Sequence, residues 1–216
     1  MKLTKLLENI VTEIEGDKQV DALTTAMGQG FNLMGSELKT KEGELKQDVE
    51  QANIELDESL TALTVIGMLL AAPKVVELIV KGFSGTVKLF KKMFMKGSAK
   101  TEEEQEQMAA KIIEFTHKWH KQYIKALKWI FKVTGLYKKA GINDEAAQMK
   151  VAELVYYTIV AGLAVYSGIG AIGAFKQAIA HGVEASHISL GALETAMASI
   201  KTGEVASFMT ELGLKS

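Results

Sequence analysis

Apolar residues recur at spacings of three and four along most of the chain, which is the period of an amphipathic helix. Residues 2–15 place leucines and isoleucines on one face, and a second run starts at Ser36. In that run, Leu45, Val49 and their successors up to Leu70 form a coiled-coil-like seam. No alternating, turn-bounded run typical of strands accompanies them. The sequence predicts an all-α fold, a helical bundle of about six to eight helices without a sheet.

Two segments are strongly apolar. Residues 60–72 carry no charge, but thirteen residues are fewer than the roughly twenty that cross a bilayer. Pro73 follows and is expected to kink or break the helix, since proline lacks an amide donor and clashes one turn back. Residues 154–175 are uncharged over twenty-two positions, with Tyr156 and Tyr157 near one end, where interfacial aromatic residues belong. This second segment is long enough to span a membrane.

Glycines and caps divide the chain into four predicted parts. The three glycines within residues 26–36 indicate a loop or hinge. Thr101 begins a capping box, and Lys138, Lys139 and Gly141 mark a helix end, after which Asn143 or Asp144 starts the next helix. The predicted parts are 1–35, an N-terminal amphipathic helix and Gly-rich hinge; 36–100, an acidic coiled-coil-like helix running into an apolar and basic amphipathic segment; 101–141, a basic amphipathic helix; and 142–216, an apolar helix followed by short C-terminal helices.

The clearest pattern in the chain is a narrow row of lysines at spacings of three and four. Its members are Lys118, Lys121, Lys125, Lys128 and Lys132, which we call the lysine face. Bulky apolar residues, including Trp119, lie opposite, and Trp129 falls beside the lysines. Such a helix is expected either to expose a solvated face on a bundle or to lie on an anionic membrane with its tryptophans at the boundary. Two further partners stay open, packaged nucleic acid and the acidic residues 37–58 of the same or another copy.

Charge is distributed unevenly although the net charge is only −1. Residues 1–58 hold six lysines and thirteen acids, a net −7, whereas residues 81–150 hold fifteen lysines and seven acids, a net +8. Every basic residue is lysine. Since arginine is the usual residue for bidentate reading of bases and phosphates, sequence-specific nucleic-acid binding is disfavoured. Non-specific attraction to anionic lipid or nucleic acid stays open.

The residue types and spacings needed for catalysis are missing. Absence of cysteine excludes disulfides, thiolate metal sites and a cysteine nucleophile, and no serine triad or phosphate loop is found. The run Glu114-x-x-His117-x-x-His120 supplies only half of a bundle metal site. Gly168, Gly170 and Gly173 match a dinucleotide fingerprint as a string but lack its βαβ context. With Gly162 they are predicted to serve close helix packing. We therefore predict no enzymatic activity, cofactor or metal.

Two function classes follow from these patterns. The first is a protein that associates with or inserts into a membrane, for example a viral component acting at a host envelope. Its lysine-rich part is then expected on the anionic leaflet. The second is a soluble structural subunit, a virion or scaffold protein whose apolar helices are buried in a homo-oligomer. Residues 1–16 contain no secretory signal peptide. The expected location is membrane-associated or in a virion.

Residues 1–16, Met-Lys-Leu-Thr-Lys-Leu-Leu-Glu-Asn-Ile-Val-Thr-Glu-Ile-Glu-Gly, resemble the short amphipathic leaders on virion proteins of large tailed phages of the T-even type. In that family the leaders direct proteins into the prohead, and a maturation protease cuts after a glutamate. The resemblance implies cleavage after Leu6-Leu7-Glu8 and a role as a virion component. It covers residues 1–16 only, and residues 17–216 resemble no family.

Overall fold

A computed structural model describes residues 3–56, 60–94, 101–166 and 203–214. These ranges form seven helices and contain no strand, which confirms the all-α fold. The helices are α1 (Leu3–Gln51), α2 (Ala62–Leu70), α3 (Pro73–Phe94), α4 (Glu102–Thr134), α5 (Leu136–Lys139), α6 (Glu145–Tyr166) and α7 (Gly203–Glu211).

Helix α1 runs through the glycine-rich segment without interruption, so the predicted loop or hinge within residues 26–36 is wrong. Its one departure from helical backbone geometry is at Lys41 (φ −110°, ψ 15°). Gly30 faces the backbone of α3, where a Cβ atom would overlap the carbonyl oxygen of Gly82. The glycine is thus needed for helix contact, and this packing outweighs the roughly 1 kcal/mol that glycine costs inside a helix.

The coiled-coil-like helix predicted from Ser36 to Leu70 is divided. α1 ends at Gln51, residues 52–56 are not helical, and α2 begins at Ala62, capped by the Thr61 hydroxyl, which accepts from the Thr64 amide at 3.3 Å. Leu45 and Val49 are buried as their spacing requires. Leu63 of the same seam is 44% exposed, so the seam marks a buried face only in part, and it does not form one continuous helix.

Pro73 breaks the helical path as predicted. α2 ends at Leu70, and α3 starts with Pro73, a first-turn position where the missing amide proton costs nothing. The two helices bend by 108° at this break. The next amide, that of Lys74, donates to the Asp48 carboxylate at 2.9 Å and fastens the start of α3 to the end of α1.

Two glycines shape the connection from α4 to α6. Gly135 adopts the left-handed conformation (φ 83°) and separates α4 from α5, so the single helix predicted for 101–141 is interrupted there. Gly141 (φ 71°) ends α5, and the Ile142 amide returns to the Tyr137 carbonyl at 2.8 Å, as in a Schellman motif. The Asp144 carboxylate then caps α6 by accepting from the Ala147 amide at 2.8 Å. Both the predicted end at Gly141 and the start at Asp144 are confirmed.

Helix α6 is the core helix of the described structure. All thirteen residues at 151–163 are buried, including the polar Glu153 and Thr158. α6 packs against α4 and α2, while α1 packs against α3 and α4. Residues 154–163 of the apolar segment are therefore covered by protein on every face.

Helix α7 closes one side of this core. Its predicted apolar face is confirmed, since Val205, Phe208, Met209 and Leu212 are all buried. α7 packs against α2, and a Cβ atom at Gly162 of α6 would overlap the Met209 side chain. Gly162 is thus at a close helix contact as predicted, while Gly168, Gly170 and Gly173 lie outside the described residues.

Candidate anionic-surface site on helix α4

The lysine face lies on the outside of the bundle. Lys118, Lys121, Lys125 and Lys132 are exposed, whereas the side chain of Lys128 is only 18% exposed. From Lys118 to Lys132 the row extends about 21 Å at 1.5 Å per residue. Within the described residues, the four exposed lysines make no ion pair shorter than 4 Å. The arrangement presents a straight row of positive charge to solvent.

The opposite face of α4 fixes the orientation of this row. Its predicted apolar members Tyr123, Ile124, Leu127, Ile130 and Phe131 are all buried. The Tyr123 hydroxyl donates to the Met27 carbonyl of α1 at 2.9 Å, and its ring centroid lies 4.5 Å from that of Phe83 in α3. Burial raises the pKa of Tyr123 above its ordinary value of 10.0, so its hydroxyl stays a donor at mildly alkaline pH as well. Rotation of α4 about its axis would break these contacts, and the lysines therefore cannot turn inward.

The two tryptophans occupy different environments. Trp129 is 41% exposed beside the lysines. Trp119 is half-buried against the core, with its ring 6.3 Å from that of Tyr123 and facing Gly28 of α1. Its indole nitrogen is buried without a hydrogen-bond partner in the described part of the chain. The structure thus assigns Trp119 to helix packing, which differs from the predicted boundary role.

One lysine of the face is paired with an acid. The Lys128 Nζ lies 2.7 Å from Oε1 of Glu145, the first residue of α6. This hydrogen bond and the charge of Lys128 lower the pKa of the Glu145 carboxyl, and Lys132 contributes from farther away. The sequence pattern gave no sign of this pair, because it depends on the turns at Gly135 and Gly141 that bring α6 back over α4.

Two acids of α1 pair with lysines that do not belong to the lysine face. Glu37 lies 3.8 Å from Lys41 and 3.4 Å from Lys81 of α3, and Glu42 lies 2.6 Å from Lys46. Lys81 also pairs with Glu77 at 2.8 Å. Among the described residues, no lysine of the face reaches this acidic stretch. Within the described residues 37–56, the structure therefore does not contain the predicted docking of the lysine face onto the acidic stretch of the same chain.

A second basic location lies past the end of the lysine face. A cleft of about 440 Å³ separates the ends of α1 and α4, and its charged lining residues are Lys46, Glu50, Lys138 and Lys139. The Lys139 Nζ donates to the Glu50 carbonyl at 3.0 Å and so caps the C-terminus of α1. Cations stabilise the negative end of a helix in this way, which gives Lys139 a structural role.

The described residues contain no group of three or more histidine, aspartate or glutamate side chains placed to hold a metal ion. Glu114 and His117 of the predicted half-site have side chains outside the described set.

Among the described helices, none is by itself both long and apolar enough to cross a membrane. The segments Leu63–Leu70 and Pro73–Lys91 together meet that criterion by length and composition, but only as a pair bent at Pro73.

The chemistry available at α4 is thus electrostatic, a row of exposed ammonium groups with one exposed indole beside it. Comparisons with protein-family models, curated proteins and solved structures give no match.

Proposed function

We propose that the protein binds an anionic membrane surface peripherally, through the lysine face of α4, and that it performs no catalysis. The observation that carries this proposal is the exposure of Lys118, Lys121, Lys125 and Lys132 without ion pairs in the described structure. Each lysine near an anionic membrane contributes about 1 kcal/mol, so four together favour binding decisively.

Trp129 supports lipid over nucleic acid as the partner. Its exposed ring lies next to the lysines, and indole side chains prefer the headgroup region of a bilayer. Lysine attracts phosphates as a point charge, whereas recognition of bases and bidentate phosphate contacts favour arginine, which this chain lacks. The resemblance of residues 1–16 to phage leaders is our reason for proposing a virion or a host envelope as the setting.

Peripheral binding requires no insertion of α6. Residues 151–163 already bury their apolar surface against other helices, including α4 and α2. Transfer of α6 into lipid would require those contacts to be broken first. A membrane contact through the outside of α4 leaves the core intact, and it is therefore the simpler use of this fold.

Flotation with vesicles tests the proposal. The wild-type protein should float with vesicles of phosphatidylcholine and phosphatidylserine at low salt and be released at high salt. The triple variant Lys118→Gln, Lys121→Gln, Lys125→Gln should lose binding by about 100-fold, at roughly fivefold for each charge. The matched control changes the exposed Lys39, Lys74 and Lys88 to glutamine and should bind like wild type. If wild type stays in the soluble fraction with anionic vesicles at low salt, the proposal is wrong.

The second candidate is a soluble structural subunit, and the burial of α6 favours it, because that segment needs no lipid partner. This function predicts concentration-dependent assembly of the chain without vesicles. Sedimentation velocity measures this directly, and the assembly should persist in the triple lysine variant. A chain that stays monomeric and binds vesicles would exclude this candidate in favour of the first.

A further inference from the structure

We propose that Glu145 sets the density of anionic lipid at which the lysine face binds, acting as a fixed counter-charge on that face. This inference rests on the proposed function, because it concerns the same surface. It assigns to one acidic residue the selectivity between weakly and strongly anionic membranes.

The geometry places the Glu145 carboxylate over the lysine face. Its oxygen lies 2.7 Å from the Lys128 Nζ, and its side chain is 87% exposed, so it belongs to the outer surface and not to the core. Lys128 is the one member of the row whose side chain is largely shielded from solvent. The charge of Glu145 also acts on Lys132, the next lysine toward the end of α4.

The connection that carries Glu145 is held by several hydrogen bonds. Asp144 caps α6, as described above, and the Tyr137 hydroxyl donates to the Gln148 carbonyl at 2.7 Å. The Gln148 side-chain amide donates to the Ile142 carbonyl at 3.2 Å. These bonds tie the start of α6 to α5, so the backbone of Glu145 is held within reach of Lys128.

A membrane approaching α4 meets both signs of charge. The four exposed lysines attract it, while Glu145 repels it and competes with lipid headgroups for Lys128. Binding therefore requires a surface with enough negative charge to overcome this opposing contribution. Without Glu145, the same row would also bind membranes that carry less negative charge.

A purely structural role for Glu145 makes a different prediction. An acid in the first turn of a helix stabilises it through the helix dipole. Replacement would then lower the free energy of unfolding slightly and leave membrane binding unchanged. The two roles are separated by measuring vesicle binding and thermal stability on the same variant.

The experiment is a binding titration with phosphatidylcholine vesicles of rising phosphatidylserine content. Glu145→Gln should raise the partition coefficient about fivefold, the effect of one charge, and shift the onset of binding to a lower phosphatidylserine content. The control Glu44→Gln makes the same change in net charge at an exposed site in the groove between α1 and α3. It should bind like wild type.

A double variant checks that the effect comes from charge and not from a local change of structure. Lys128→Gln with Glu145→Gln removes one charge of each sign and should restore wild-type binding. If wild type binds but Glu145→Gln does not bind more tightly, or if Glu44→Gln increases binding equally, the inference is overturned while the proposed function stands. If wild type does not bind anionic vesicles, both fail.

Discussion

Gly30 of α1 and Gly82 of α3 bring the backbones of these two helices into direct contact. A Cβ atom at position 30 would overlap the Gly82 carbonyl oxygen, and one at position 82 would overlap the Met34 side chain. The crossing therefore accepts only glycine at position 30. It also sets how deeply the apolar faces of α1 and α3 interlock.

Gly30→Ala should destabilise the protein, because the clash is with backbone and the helices must separate. Overpacking of this kind costs about 1–3 kcal/mol, reduced by up to about 1 kcal/mol from the better helix propensity of alanine. Gly85→Ala is the control, since it lies three residues from Gly82 with open space around it, and it should stabilise by about 0.5–1 kcal/mol. Urea unfolding measures both. Equal effects of the two substitutions would contradict the close contact.

Stability should fall at alkaline pH because of buried tyrosines. Burial raises the pKa of Tyr157 from 10.0 to about 12 and also raises those of Tyr123, Tyr137 and Tyr156. In the unfolded chain the phenols lose their protons near pH 10, whereas in the folded protein they lose them at higher pH. Rising pH therefore stabilises the unfolded state relative to the folded state. The free energy of unfolding should be unaffected by these groups well below pH 10.

Above about pH 10, the free energy of unfolding should decrease by about 1.4 kcal/mol per pH unit for each tyrosine that is still protonated in the folded protein. Denaturant unfolding at a series of pH values measures this slope. Tyr157→Phe should make the slope shallower between pH 10 and about 12. A slope that is the same in the variant would show that Tyr157 is not protected from titration in the folded protein.

The two tryptophans should report membrane binding differently. In Trp119→Phe only Trp129 emits, and its fluorescence should shift to shorter wavelength when anionic vesicles are added, because the exposed indole enters the headgroup region. In Trp129→Phe the remaining Trp119 is packed on α1 and should change little. A shift confined to Trp119 would mean that α4 contacts lipid through another face or that α1 and α4 separate.

The cap of α6 can be tested by a conservative pair of substitutions. Asp144→Ala removes the acceptor of the Ala147 amide and should cost about 1 kcal/mol, whereas Asp144→Asn keeps an acceptor and should cost little. Thermal melting of the two variants distinguishes loss of the hydrogen bond from loss of the charge. If both melt like wild type, the cap does not contribute to stability.

The faces of single helices were predicted more reliably than the contacts between helices that are distant in the sequence. The lysine face and the apolar face behind it follow from helical spacing within α4 alone. The glycines of α1 suggested a loop, because the role of Gly30 depends on Gly82, which lies far away in the sequence. Glu145 was missed for a similar reason, since two left-handed glycines must first turn the chain back toward Lys128.

The position of α7 has a consequence for how the chain is made. α2 and α6 are synthesised well before α7, yet α7 packs against α2, and its Met209 contacts α6 at Gly162. While the chain is still emerging from the ribosome, the apolar surfaces that α7 will cover are left open to water. Exposed apolar surfaces of this kind favour aggregation of incomplete chains until residues 203–214 are added.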